Sequence, residues 1–131
     1  MGHGQCDVVG VHWGERIGRP IPLMKRVVCV ELKLSDVAGV LSQAKRNRFR
    51  IGESYAALPQ SRVDKMRSKT IDGFAAAGVG LLSVTDSVVR CLVMPEVNLD
   101  AFIHYDKMRS KLWRRRDEWT SRIDVQKFSV S

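Results

Sequence analysis

From position 27 to 34 the chain reads Val-Val-Cys-Val-Glu-Leu-Lys-Leu, a run dominated by apolar, mostly β-branched residues whose polar members fall on one parity. That pattern predicts a β-strand. Strand side chains point alternately to the two faces, so Val28, Val30, Leu32 and Leu34 share one face, expected to be core. Cys29, Glu31 and Lys33 share the other. A carboxylate and an amine therefore stand side by side in a strand apolar enough to be buried, where charges are normally paired or functional.

The surrounding pattern supplies the neighbours. Residues 6–13 read as a first strand, and 14–25, with Pro20 and Pro22, as its connection to the second. In an antiparallel pair turning near residues 19 and 20, opposite positions sum to about 39, which places Asp7 across from Glu31 or Leu32 unless a bulge intervenes. Ser35 reads as the N-cap of a helix with Val37, Val40, Leu41 and Ala44 at helical spacing, and with Gln43, Arg46, Asn47 and Arg50 on an adjoining polar stripe. Residues 54–58, closed by Pro59, make a short strand, so a parallel strand–helix–strand crossover is expected. A second helix over 63–77 stops at Gly78. Strands at 79–84 and 88–94 form a hairpin about Thr85, Asp86 and Ser87. Beyond Asn98 the pattern turns helical again, with Tyr105, Met108, Leu112, Trp119 and Ile123 along one side. The expected fold class is α/β: one core over 1–96, with a basic C-terminal helix and tail over 97–131 packed on it.

Composition and charge narrow the function. The 131 residues are 44% hydrophobic and 27% charged, an ordinary globular balance. Lys and Arg number 22 against 14 Asp and Glu, a formal charge of +8, which makes an anionic partner and above all nucleic acid the leading expectation. No apolar run approaches the ~18 residues that a membrane span needs, and no leader is evident, so a cytoplasmic location and no membrane partner are expected. Cys6, Cys29 and Cys91 are odd in number and far apart, which predicts reduced core thiols rather than a disulfide framework. The three histidines are scattered and suggest no zinc site.

Asp7 and Glu31, on neighbouring strands, could converge on one hard cation, because Mg²⁺ is typically held by one or two carboxylates together with waters and substrate phosphate. The carbonyl of Leu32 is a candidate further oxygen ligand, and Glu15 a candidate third acid. Lys33 could orient or deprotonate a metal-activated water and balance charge on a pentavalent phosphate. The same residues also read as an ion pair between Glu31 and Lys33 near an exposed strand edge, with Asp7 capping a turn.

Taken together, Asp7 behind Cys6, then Glu31-Leu32-Lys33 ending an apolar strand, then a helix carrying Gln43, resembles the PD-(D/E)xK nuclease superfamily. The likeness covers roughly residues 6 to 60, with Cys6 where the family's first motif has proline. Only six residues precede Asp7, so the helix and strand that open the family's usual core are expected to be missing. The resemblance implies a restriction-endonuclease-like mixed β-sheet flanked by helices, and Mg²⁺, with Mn²⁺ as substitute, held by Asp7, Glu31 and Leu32. It implies Asp7, Glu31, Lys33 and Gln43 as catalytic residues, Gln43 bonding the attacking water or a phosphate, and hydrolysis of DNA phosphodiester bonds.

Arg46, Asn47 and Arg50 on the helix could track a phosphate backbone without reading bases. Arg114, Arg115 and Arg116, interleaved with Trp113 and Trp119, could add to that footprint or lie in solvent while the tryptophans pack on the core. A homodimer would suit cutting of two antiparallel strands. The rival expectation is a catalytically inactive nuclease-like fold that binds DNA or forms complexes in repair, phage or mobile-element systems.

Overall fold

The computed structural model describes residues 6–15, 18, 21 and 23–115, apart from the side chains at 104 and 106. Five strands form one sheet in sequence order: β1 (Val8–Trp13), β2 (Met24–Leu32), β3 (Glu53–Pro59), β4 (Gly80–Val84) and β5 (Val89–Val93). The central strands β2, β3 and β4 run parallel, and β1 and β5 close the two edges antiparallel. The mixed α/β class is as the sequence predicts, including the parallel crossover from β2 to β3 and the hairpin from β4 to β5.

The crossover is α1 (Val37–Ile51). Its cap is Asp36, whose Oδ1 accepts from the Gly39 amide at 2.8 Å, rather than the expected Ser35. Gly52, at φ 101°, ends the helix by donating its amide to the Arg48 carbonyl. Val40 and Ala44 pack against Ala56, Leu58 and Leu81, covering one face of the sheet.

The helix expected over 63–77 is two pieces, one turn of α2 (Gln60–Val63) and α3 (Ser68–Ala76). Between them the Lys65 and Met66 amides reach back three residues, to Arg62 and Val63, and Arg67 takes an extended ψ of 151°. The break lets both Val63 and Phe74 enter the core while Met66 packs on its edge. C-terminal to β5, Asn98 Oδ1 accepts from Asp100 N and opens a 3₁₀ segment, Leu99–His104, that leads into α4 (Tyr105–Arg114). Tyr105, Met108 and Leu112 pack on Val27, Cys29 and Ile51, as their spacing predicts. Trp113 meets Trp13 edge to face with ring centroids 5.1 Å apart. Trp119 and Ile123 lie outside the described residues.

One expectation about the second strand is corrected. Leu32 and Leu34, assigned to the core face, are 47% and 83% exposed. The pairing of β2 with β3 ends at Leu32 opposite Ala57, and the chain leaves the sheet at Lys33, so the apolar parity outlasts the sheet that would bury it. The opposite parity is buried, Val27 and Cys29 lying under Ile51 and α4, because the helices pack over that face of β2.

The cysteine expectation is also overturned. Cys6 and Cys29 form a disulfide, with Cα atoms 5.9 Å apart. The register pairs Cys29 with Val9, but the chain bends at Asp7, ahead of β1, and brings Cys6 back to Cys29. Cys91 is the free thiol.

Candidate carboxylate site

The antiparallel register of β1 and β2 decides the site. Val8 pairs with Val30 and Val9 with Cys29, so the ladder ends one residue short of Asp7 and Glu31, and Asp7 lies in the bend just beyond it. A shift in register between His12 and Trp13 lies at the far end of the pair and leaves this alignment intact. Asp7 Oδ2 accepts from the Leu32 amide at 2.8 Å, fixing the carboxylate across the end of β2. Glu31 projects to the face covered by α1, where it is only 5% exposed. Its carboxyl lies within hydrogen-bonding reach of Asp7.

Helix α1 supplies the other wall. Asn47 Nδ2 donates to Glu31 Oε1 at 3.4 Å, and Gln43 Nε2 donates to Asn47 Oδ1 at 3.2 Å. Arg46 closes the outer end, donating from Nη1 to Gln43 Oε1 at 3.4 Å. The row Arg46, Gln43, Asn47, Glu31 thus runs from solvent into the protein. Gln43 and Asn47 are one helical turn apart, which is why their side chains meet.

Burial, first, and the Asp7 carboxyl beside it, second, push the Glu31 carboxyl above the ordinary carboxylate range. The Asn47 hydrogen bond and the positive charge of Lys33 pull the other way. Lys33 is therefore close enough to Glu31 to act on it electrostatically, while being itself exposed. Asp7 and Glu31, 24 positions apart (31 − 7), thus come together at the end of β2, with Gln43 reaching Glu31 through Asn47 and Lys33 acting on it by charge, without an ion pair to it within 4 Å.

Among the described residues, no group of three His, Cys, Asp or Glu side chains could hold a metal ion. A cation at the carboxylate pair would be completed by backbone, water or phosphate oxygens, which is the way Mg²⁺ is commonly held. Glu15 is described but joins no acidic group with Asp7 and Glu31.

Beside Lys33 a cleft of about 650 Å³ opens at the C-terminal ends of β2, β3 and β4, lined by Leu32, Leu34, Ala57, Pro59, Val84 and Asp86 among others. Ligands of open α/β sheets commonly sit at that end of the parallel strands. Asp7 and Glu31 lie outside the cleft lining, and Lys33 belongs to both places.

The basic residues separate into different environments. Asn47, expected with Arg46 and Arg50 on a phosphate-facing stripe, is fully buried and holds Glu31 instead. Its side chain falls on the sheet-facing boundary of the helix, next to Val40 and Ala44. Arg46 and Arg50 are exposed. So are Arg114, whose Nε donates to the Ser110 carbonyl, and Arg115. Arg116 lies outside the described residues.

Sequence patterning missed one charged pair altogether. Arg26 of β2 grips the Glu53 carboxylate of β3, donating from Nε at 3.0 Å and also from Nη2. That hydrogen bond, above all, raises the Arg26 pKa, and Glu53 is buried. The parallel pairing of Val28 with Glu53 could have found it, since it puts Arg26 two residues beyond the start of the ladder.

No helix among the described residues is long and apolar enough to cross a membrane. No family model and no curated protein matches the chain. Among solved structures it is similar to a protein of unknown function from Silicibacter pomeroyi, at 12% identity and a TM-score of 0.45 over 86% of this chain and 81% of that one.

Proposed function

We propose that this protein is a divalent-cation-dependent nuclease of the PD-(D/E)xK type, with Asp7 and Glu31 as metal ligands, Lys33 as the catalytic lysine and DNA as substrate. The observation that carries the reading is the meeting of the Asp7 and Glu31 carboxyls, with Lys33 near enough to act on Glu31 by its charge. A purely structural role would gain nothing from burying one carboxylate against another, because the two repel whenever both are ionised. A hard cation relieves that repulsion, so the donor set fits Mg²⁺ or Mn²⁺ held by Asp7 and Glu31, with the Leu32 carbonyl as the third protein oxygen. When bound, the cation would supply charge neutralisation at the scissile phosphate and activation of the attacking water.

The chain's own residues do the rest. Lys33 brings a positive charge near enough to act on Glu31, from where it can orient the nucleophile and balance the negative charge that builds on phosphorus. Asn47 aims the Glu31 carboxylate by holding Oε1, and Gln43, bonded at both ends of its amide, keeps Asn47 in place. Gln43 thereby acts on the site through Asn47 in this state rather than from an amide turned toward water. Exposed Arg46 and Arg50 on α1 would attract the phosphate backbone, as would Arg114, Arg115 and Arg116.

The test is cleavage of single-stranded, duplex and branched DNA, with an RNA arm, by the purified protein in Mg²⁺ or Mn²⁺ beside Glu31→Ala and Lys33→Ala. Metal-dependent cutting by the wild type that both variants lose is the expected result. Equal cutting by all three overturns the assignment. Salt-sensitive DNA affinity that needs no metal and survives both substitutions, without cutting, would instead establish a nuclease-like binding module.

A further inference from the structure

The carboxylate site lies inside a covalent clasp. Cys6 directly precedes Asp7, Cys29 lies two residues before Glu31, and the two sulfurs are bonded. Asp7 itself stands outside the β-ladder, which begins at Val8, and occupies an exposed bend. Its carboxylate is held by the Leu32 amide, in contact with solvent, and faces a second carboxyl that repels it when both are ionised. One solvent-exposed hydrogen bond is a weak restraint against that repulsion, since water competes for both partners. The disulfide is the restraint that water cannot replace.

We propose that Cys6 and Cys29 form a redox latch on the carboxylate site: oxidised, the pair holds Asp7 opposite Glu31, and reduction by a dithiol releases Asp7 and with it the grip on a divalent cation. The release of Asp7 stands on the geometry alone, and the loss of the cation rests on the metal-site reading above. The two ends of the bond differ in access. Cys29 is fully buried under Ile51 and α4, whereas Cys6 is partly exposed.

A thiolate of the dithiol therefore attacks the Cys6 sulfur. The bond between the cysteines breaks, and Cys29 leaves with the electron pair and takes up a proton. The second thiol of the reductant then attacks the mixed disulfide, so that Cys6 departs as a thiol and the dithiol becomes a cyclic disulfide. Two electrons and two protons reach the protein. Cys91 takes no part, since it packs with Val28, Val30 and Leu82 in a cluster on the other face of the sheet.

The latch is tested on the full chain, oxidised, dithiol-reduced, and as the double variant Cys6→Ser with Cys29→Ser. Three readouts are followed: thiol alkylation by mass spectrometry, amide hydrogen exchange by NMR, and Mn²⁺ binding by calorimetry. Oxidised protein should be alkylated at Cys91 alone, with the Leu32 amide protected. Reduced protein and the double variant should lose Leu32 protection while β3 and β4 amides stay protected. Their Mn²⁺ affinity should fall by roughly 10–100-fold, the range seen when the support of a metal ligand is removed.

Alkylation of all three cysteines in the oxidised protein overturns the proposal, and so does Leu32 protection that is blind to redox state. Loss of protection throughout the sheet overturns it as well, since the bond would then be a staple of the whole fold. Redox-dependent Leu32 protection with no Mn²⁺ bound in any state keeps the latch and removes the metal-site reading. Redox-dependent Leu32 protection with equal Mn²⁺ affinity in every state overturns the claim that the latch governs the cation.

Discussion

Glu31 is held in a place that suits a protonated or metal-neutralised carboxyl better than a free carboxylate. Its folded-state pKa lies above the unfolded one, through burial first and Asp7 second, so the folded protein binds this proton more tightly than the unfolded chain does. The resulting stabilisation is complete below the unfolded value of about 4.3 and is lost as pH rises through the higher folded value. Glu31→Gln, which copies the neutral form, should therefore melt at a higher temperature than wild type at pH 7.5, and the difference should close by about pH 4. Calorimetry without divalent ions reads this, and equal melting at pH 7.5 would mean that Glu31 is not strained. Mn²⁺ should raise the melting temperature of wild type and leave that of Glu31→Gln unchanged. The approach of Asp7 to Glu31 and Leu32 was legible because hairpin register is a short-range rule that names partners. Asn47 was not, since a helical wheel assigns a residue to a stripe but cannot say whether the edge of that stripe meets solvent or a buried carboxylate.

Single elements show where local pattern is enough and where packing overrides it. The start of α1 was placed within one residue, but the cap is Asp36, because only its carboxylate reaches the Gly39 amide. Asp36→Ala should cost about 1 kcal/mol of unfolding free energy, measured by urea titration, whereas Ser35→Ala should cost close to nothing. In β4 the determinant is the absence of a side chain. A Cβ on Gly80 would collide with the ring edge of Tyr55, a fully buried residue on the neighbouring strand that pairs with it. Gly80→Ala should lower stability by roughly 1–3 kcal/mol, the usual cost of overpacking. A loss below a few tenths would show that Tyr55 can move aside. Neither this contact nor the break between α2 and α3 has a local signature. The break contains no glycine or proline and exists because Val63 and Phe74 are both drawn into one core.

At the scale of the molecule, strand order was within reach because each connection joins neighbours, while the disulfide was not, since a separation of 23 residues says nothing about pairing. The helices share one face of the sheet. Ile51 of α1 and Tyr105, Met108 and Leu112 of α4 meet on Val27 and Cys29, the parity that also carries Glu31. Exposed Arg46 and Arg50 on α1, with Arg114 at the end of α4 and Arg115 just after it, therefore ride on elements packed over the face that holds the carboxylates. An overall charge of +8 attracts polyanions from any direction, but only cations near the bound strand release counterions from it. If DNA lies along this face, each neutralising change there should remove about one unit from the slope of log affinity against log salt. Arg46→Gln and Arg114→Gln should each flatten the slope by that amount, and Arg90→Gln, on the opposite sheet edge in β5, should leave it unchanged. Fluorescence anisotropy with a labelled oligonucleotide, in Ca²⁺ to suppress cleavage, measures all three. Equal flattening by all three would mean that the protein binds by its net charge alone. A slope altered only by Arg90→Gln would move the DNA to β5 and away from Asp7 and Glu31, and the nuclease reading would lose its substrate path.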